Sequence, residues 1–126
     1  MVLMAAALVG CSNRESSANR QPHTGSATAS VVNGVQQITV KASNFRFSPS
    51  TITIHPGKVT VTLINTGQGA PHNFSVVDFP ADVVPLASAG QTMQASFTAP
   101  SPGRYQFECT IHAKQGQVGT LIVLPG

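Results

Sequence analysis

The chain has 126 residues, a formal net charge of +3, and charged residues make up only 9% of it. That length holds one domain, and no run of Lys or Arg with interleaved aromatics offers a nucleic-acid surface. Trp is absent while Gly and Pro are frequent, and with many Val, Ile and Thr this favours short strands and turns over helices.

The first element is an apolar run, Val2 to Gly10, too short to span a bilayer as a helix but long enough for the core of a signal peptide. It ends in Leu8-Val9-Gly10-Cys11, which resembles a bacterial lipobox. The resemblance implies a signal peptide over 1–10, cleavage before Cys11, and a diacylglyceryl chain on the Cys11 sulfur. No basic residue precedes the run, which departs from that pattern. Residues 11–34 are rich in Ser, Ala, Asn and Thr and carry almost no large apolar side chain before Val31, so they read as a flexible tether. His23 lies in it and receives no role.

From Val35 the texture changes to β. Ile38 and Val40 alternate with polar neighbours, and Asn44 to Pro49 is an aromatic alternation closed by proline. Thr51 to Ile54 and Lys58 to Asn65 alternate strictly, and Pro71 to Val76, Gln91 to Thr98, Arg104 to Cys109 and Val118 to Val123 follow. Asp78 to Ala89 is the least regular stretch, with room for a helical turn. The spacing predicts an all-β Greek-key sandwich or barrel of seven or eight strands over residues 35–126. About 90 residues suffice for such a core without a disulfide. Its expected members are Phe45, Phe47, Ile52, Ile54, Val59, Val61, Leu63, Phe74, Phe97, Tyr105, Phe107, Leu121 and Val123.

Two cysteines occur, Cys11 and Cys109, and a bridge between leader and domain is not expected. Tyr105, Phe107 and Cys109 share one strand parity, opposite to Arg104, Gln106 and Glu108, so the thiol points inward with two aromatics. His112 lies three residues on, and Gln117 just before the last strand, in a loop that Gly116 and Gly119 leave free to close. His72 follows Pro71 in a separate segment, where proline restricts the backbone. Two imidazoles, a thiolate and a weak oxygen donor form the ligand set of a blue copper site. Zinc takes the same Cys and His donors and is the rival metal. A Cys–His nucleophile needs an exposed thiolate, which inward-facing Cys109 contradicts, so no enzyme is expected.

Residues Val35 to Val123 resemble the cupredoxin family, in particular small plastocyanin-like bacterial blue copper proteins. The residues that carry the likeness are Gly103 to Cys109 with His112 and Val118-Gly119-Thr120, and Pro71-His72-Asn73-Phe74. The resemblance implies one copper ion cycling between Cu(I) and Cu(II), with His72, Cys109 and His112 as equatorial ligands and position 117 as the axial one. It also implies that Asn73 hydrogen-bonds within the ligand loops and that the Pro71 carbonyl lies beyond the metal. Gln117 stands where methionine is commoner and resembles the glutamine-ligated stellacyanins. The expectation is a monomeric electron carrier, lipid-anchored on the extracytoplasmic face of a bacterial envelope, with membrane-associated redox proteins as partners. A copper delivery or tolerance module is the alternative, and a metal-free adhesion sandwich a third reading.

Overall fold

The structure is a computed structural model that describes residues 23–126. The expected signal segment, Cys11 and the first part of the tether lie outside the described residues. In chain order the strands are β1 (Ser26–Thr28), β2 (Ser30–Val32), β3 (Val35–Ser43), β4 (Arg46–Ser48), β5 (Thr51–Ile54) and β6 (Lys58–Asn65). They continue as β7 (His72–Val76), β8 (Val83–Ala87), β9 (Thr92–Thr98), β10 (Gly103–Glu108) and β11 (Val118–Val123). The first sheet runs β1-β5-β11-β10-β7-β8, and the second runs β2-β3-β6-β9 with β4 added on β3.

Side-chain alternation builds the two layers. In β6, Val59, Val61 and Leu63 are buried while Thr62 and Ile64 are only half-buried on the other face. β3 runs parallel to β6, with Ile38 opposite Val61 and Val40 opposite Leu63. β5 runs parallel to β11, with Ile52 opposite Leu121 and Ile54 opposite Val123. These apolar faces meet between the sheets around Phe47, Phe74 and Phe107. Phe74 stacks on Phe107 at 4.6 Å between ring centroids, and Phe47 meets Phe107 edge-on at 5.0 Å.

The all-β sandwich agrees with the sequence expectation, with more strands than the seven or eight foreseen. The folded part also begins before Val35. Ser26–Thr28 pairs with β5, the chain crosses between sheets at buried Ala29, and Ser30–Val32 pairs with β3. These segments lack an apolar stripe of their own and are ordered by the ladders that receive them. Residues 83–87 of the irregular stretch form an edge strand on β7, not a helical turn. Pro85 hid it, because proline is tolerated at a sheet edge but removes a ladder donor. Phe45 is not a core residue: it is 37% exposed on the turn between β3 and β4. Tyr105 is half-buried and packs on Phe79.

The ends of β3, β6 and β10 and the starts of β7 and β11 gather at one end of the sandwich. The loops joining them carry the chemistry.

Candidate metal centre

β10 ends at Glu108, and the next residue, Cys109, is fully buried with its side chain inward as its parity requires. The chain then turns in a stitched loop. The Cys109 N–H donates to the Gln117 carbonyl (3.1 Å), and the His112 N–H to the Cys109 carbonyl (3.1 Å). The Gln115 and Gln117 N–H groups both donate to the His112 carbonyl, at 3.0 and 3.2 Å. A short 3-10 turn, Ala113–Gln115, ends at Gly116 with φ of 94°, a left-handed conformation that glycine adopts without a Cβ clash. Gly119 acts otherwise than expected. It supplies no unusual φ; a Cβ there would stand 2.3 Å from Phe107 Cζ and 2.6 Å from the Ser50 carbonyl oxygen. Its missing side chain lets the aromatic core reach under the loop.

His72 opens β7 and is fully buried, paired across the edge with Ala87. The loop before it is held by Asn65, a residue the strand pattern did not single out. Its amide donates to the carbonyls of Ala70 (2.8 Å) and Ala87 (2.9 Å), and its oxygen accepts from the Gly67 N–H (2.9 Å). A buried polar side chain at a strand end was the available signal, since such a group needs partners in the adjoining loop. Asn73 joins the two ligand segments, as the resemblance implied: its oxygen accepts from the Thr110 N–H at 2.8 Å.

The structure brings His72, Cys109 and His112 together, with their candidate ligand atoms within 4.8 Å of one another. Cys109 Sγ lies 3.4 Å from His112 Nδ1. The His72 and His112 rings are 5.0 Å apart between centroids, and His112 is only half-buried. Gln117, fully buried, places Oε1 2.8 Å from His72 Nδ1. Its Nε2 donates to the carbonyls of Arg46 (3.1 Å) and Ser43 (3.3 Å), which settles the amide orientation.

These residues fit a soft metal ion. Donors about 2.0–2.3 Å from one shared ion stand at comparable separations, and thiolate with imidazole suits copper. The His72 ring supplies a second indication, because among the described residues its buried Nε2 has no hydrogen-bond partner. With the proton on Nδ1, the ring donates to Gln117 Oε1 at 2.8 Å and leaves the Nε2 lone pair without a partner, a buried nitrogen open to a cation. Burial holds the His72 pKa below the ordinary histidine value, the nearby His112 charge lowers it further, and the Gln117 hydrogen bond partly opposes both. The ring therefore stays neutral, the form that ligates metals. His23 and His55 lie outside the cluster.

A family model for the cupredoxin-like domain matches residues 1–123. None of the curated proteins matches the chain by sequence. Among solved structures, a dithionite-reduced auracyanin from the photosynthetic bacterium Roseiflexus castenholzii is 25% identical with a TM-score of 0.64, covering 71% of this chain and 97% of its own. A mutant fern plastocyanin is 27% identical with a TM-score of 0.52, covering 68% of this chain and 99% of its own. The metal-binding domain of the Streptococcus pneumoniae Cu(I)-exporting P-type ATPase CopA, solved with Cu(I), shares the fold at 21% identity, with a TM-score of 0.63 and coverage of 80% and 97%.

Proposed function

The chain belongs to the cupredoxin-like domain family, and from that premise we propose that it is a one-copper electron carrier tethered to the outer face of a bacterial membrane. Family, fold and neighbours support a copper-binding electron-transfer protein. The observation that carries the finer reading is the asymmetry of the cluster: Cys109 and His72 are sealed, while His112 reaches the surface.

Copper, when bound, supplies a one-electron Cu(I)/Cu(II) couple. His72, Cys109 and His112 would hold it, with the Gln117 oxygen as a weaker fourth donor. The chain keeps this cradle in one shape through the loop bonds, the Asn73–Thr110 link and the Asn65 anchor. A fixed cradle limits rearrangement between oxidation states. Burial excludes water from the thiolate, and the half-exposed His112 ring, flanked by Ile111 and Ala113, offers an edge to a redox partner. This chemistry needs no substrate pocket, and we read the protein as a carrier and not an enzyme.

The placement of the N-terminal segment supports the tethered reading. The Thr24 N–H donates to Ser50 Oγ (2.8 Å) and its hydroxyl to the Phe47 carbonyl. That carbonyl adjoins the Arg46 carbonyl that holds Gln117, so the chain enters the domain at its metal end. A diacylated Cys11 would hold that end within about 45 Å of the bilayer, the reach of the intervening chain. The partners are then redox proteins of the same membrane. Cys11→Ser is expected to release the protein from membranes, because diacylation supplies the two chains stable anchoring takes; unchanged fractionation overturns the tether.

The metal reading is tested by titrating Cu(II) into the protein. One equivalent should produce an intense visible thiolate-to-copper band that Cys109→Ser abolishes, and a band that survives the substitution sinks it. The likeness to a Cu(I)-bound ATPase domain favours copper delivery as a second reading. The burial of two donors opposes it, since delivery requires exposed, exchangeable ligands. Slow copper loss to an excess chelator supports the carrier, and release within mixing time supports delivery.

A further inference from the structure

The turn joining β3 to β4, Ser43 to Arg46, supplies no metal donor, yet it touches two of the four site residues. The Ser43 and Arg46 carbonyls take both contacts of the Gln117 amide nitrogen, at 3.3 and 3.1 Å. The Phe45 ring, at the tip of the same turn, lies 4.9 Å from the His112 ring between centroids, tilted at 54°. Phe45 is a large apolar side chain left 37% exposed, although its alternation with Phe47 marks it for the core. An exposed phenylalanine against a half-buried imidazole is costly as surface and useful as a brace.

We propose that the Ser43–Arg46 turn is a positioning clamp for the metal centre: its carbonyls aim the Gln117 oxygen, and Phe45 holds the His112 ring. A carbonyl pair accepts only N–H donors, so the amide cannot flip and Oε1 must face His72. This gives Gln117 a role methionine cannot copy, because a thioether offers no donor to either carbonyl. The His112 backbone is fixed by the loop bonds, but its exposed ring needs a neighbour to limit rotation, and Phe45 is that neighbour. The clamp belongs to the second sheet while Cys109, His112 and Gln117 belong to the loop closing the first, so it also couples the two layers at the metal end.

The second half of this proposal rests on the copper reading; the first can be measured without metal. In the metal-free full chain, the Gln117 side-chain amide protons should exchange with water at least about tenfold more slowly than those of exposed Gln68, as hydrogen-bonded groups do. Equal rates overturn the carbonyl anchor whether or not copper binds. In the copper-loaded protein, Phe45→Ala should speed copper loss to a chelator by about 10-fold, the usual scale for residues that support a ligand, and shift the copper EPR hyperfine splitting. Phe45→Tyr should restore both. Wild-type release and spectrum in Phe45→Ala, or failure of Phe45→Tyr to restore them, overturns the brace. Thermal melting of the metal-free variants separates this from damage to the fold: Phe45→Ala should melt close to wild type, and faster release that merely follows unfolding also overturns it.

Discussion

The strand carrying His72 and the loop carrying His112 bring the same imidazole to one site by different physical means. His72 is the first residue of β7, fully buried, with a ring that faces Gln117 and a strand paired on both edges. His112 sits in a loop held by its own backbone bonds, with its ring half-buried between His72 and Phe45. The sandwich thus fixes one donor by burial, and the loop fixes the other while leaving it an exposed edge. The proposed electron carrier would use both, the sealed side to set the geometry and the open side to meet a partner.

The sharpest way to break this comparison is to delete each ring. His72→Gly should weaken copper binding by more than about 100-fold, beyond the range for supporting residues, and added imidazole should not restore the blue band, since the vacated space is sealed. His112→Gly opens to solvent, and free imidazole should enter and restore the band. Equal rescue of the two variants removes the distinction.

Next in size are two glycines that separate body from loop. Gly119→Ala forces a methyl group against Phe107 and the Ser50 carbonyl, and overpacking of this kind costs about 1–3 kcal/mol. Gly116→Ala meets nothing within 4 Å but must hold φ of 94°, a strain of about 1 kcal/mol. Urea unfolding of the metal-free variants should rank Gly119→Ala as the more damaging, and the reverse order would place the strain in the loop and not the core.

A pH titration probes the sealed histidine. The native His72 pKa lies below its unfolded value because of burial, so below pH about 6.5 the unfolded chain takes up a proton the native site refuses. Its contribution to metal-free stability is complete above that pH and is lost as pH falls towards the depressed native value, by at most about 1.4 kcal/mol per pH unit. Asp82, whose carboxyl pKa burial raises, acts in the opposite sense, so the comparison belongs in an Asp82→Asn background. A urea midpoint that stays flat between about pH 7.5 and 5.5 would show that His72 protonates freely.

The smallest expected change concerns Gln117. An amide oxygen is a harder donor than a thioether and favours Cu(II), so Gln117→Met should raise the reduction potential while keeping the blue colour. Gln117→Leu, measured by voltammetry beside it, reads the site without the Gln117 oxygen. If neither variant moves the potential, Gln117 is not a ligand.

Particular segments show how far sequence reading carried. Thr51–Ile54, Lys58–Asn65 and Val118–Val123 were legible to the residue, because in each of them every second residue is buried. Cys109 was legible as inward because its strand parity continues one residue past β10. Phe45 was not, since it shares parity with Phe47 but sits where β3 turns into β4, and a turn ends the period-2 rule. β1 and β2 were missed because three-residue segments are too short to show an alternation of their own; β5 and β3 order them.

The sequence by itself determined the β architecture, the inward cysteine, and three metal-binding residue types at the ends of apolar strands. Those are local properties of alternation and spacing, readable within ten residues. Only the tertiary structure decided that His72 meets a loop 37 residues further on, that the Gln117 oxygen and not its nitrogen faces the site, and that the Phe45 ring lies against His112. Those follow from pairings between distant strands, and no local pattern specifies which carbonyl or ring a folded sheet will bring to a given side chain.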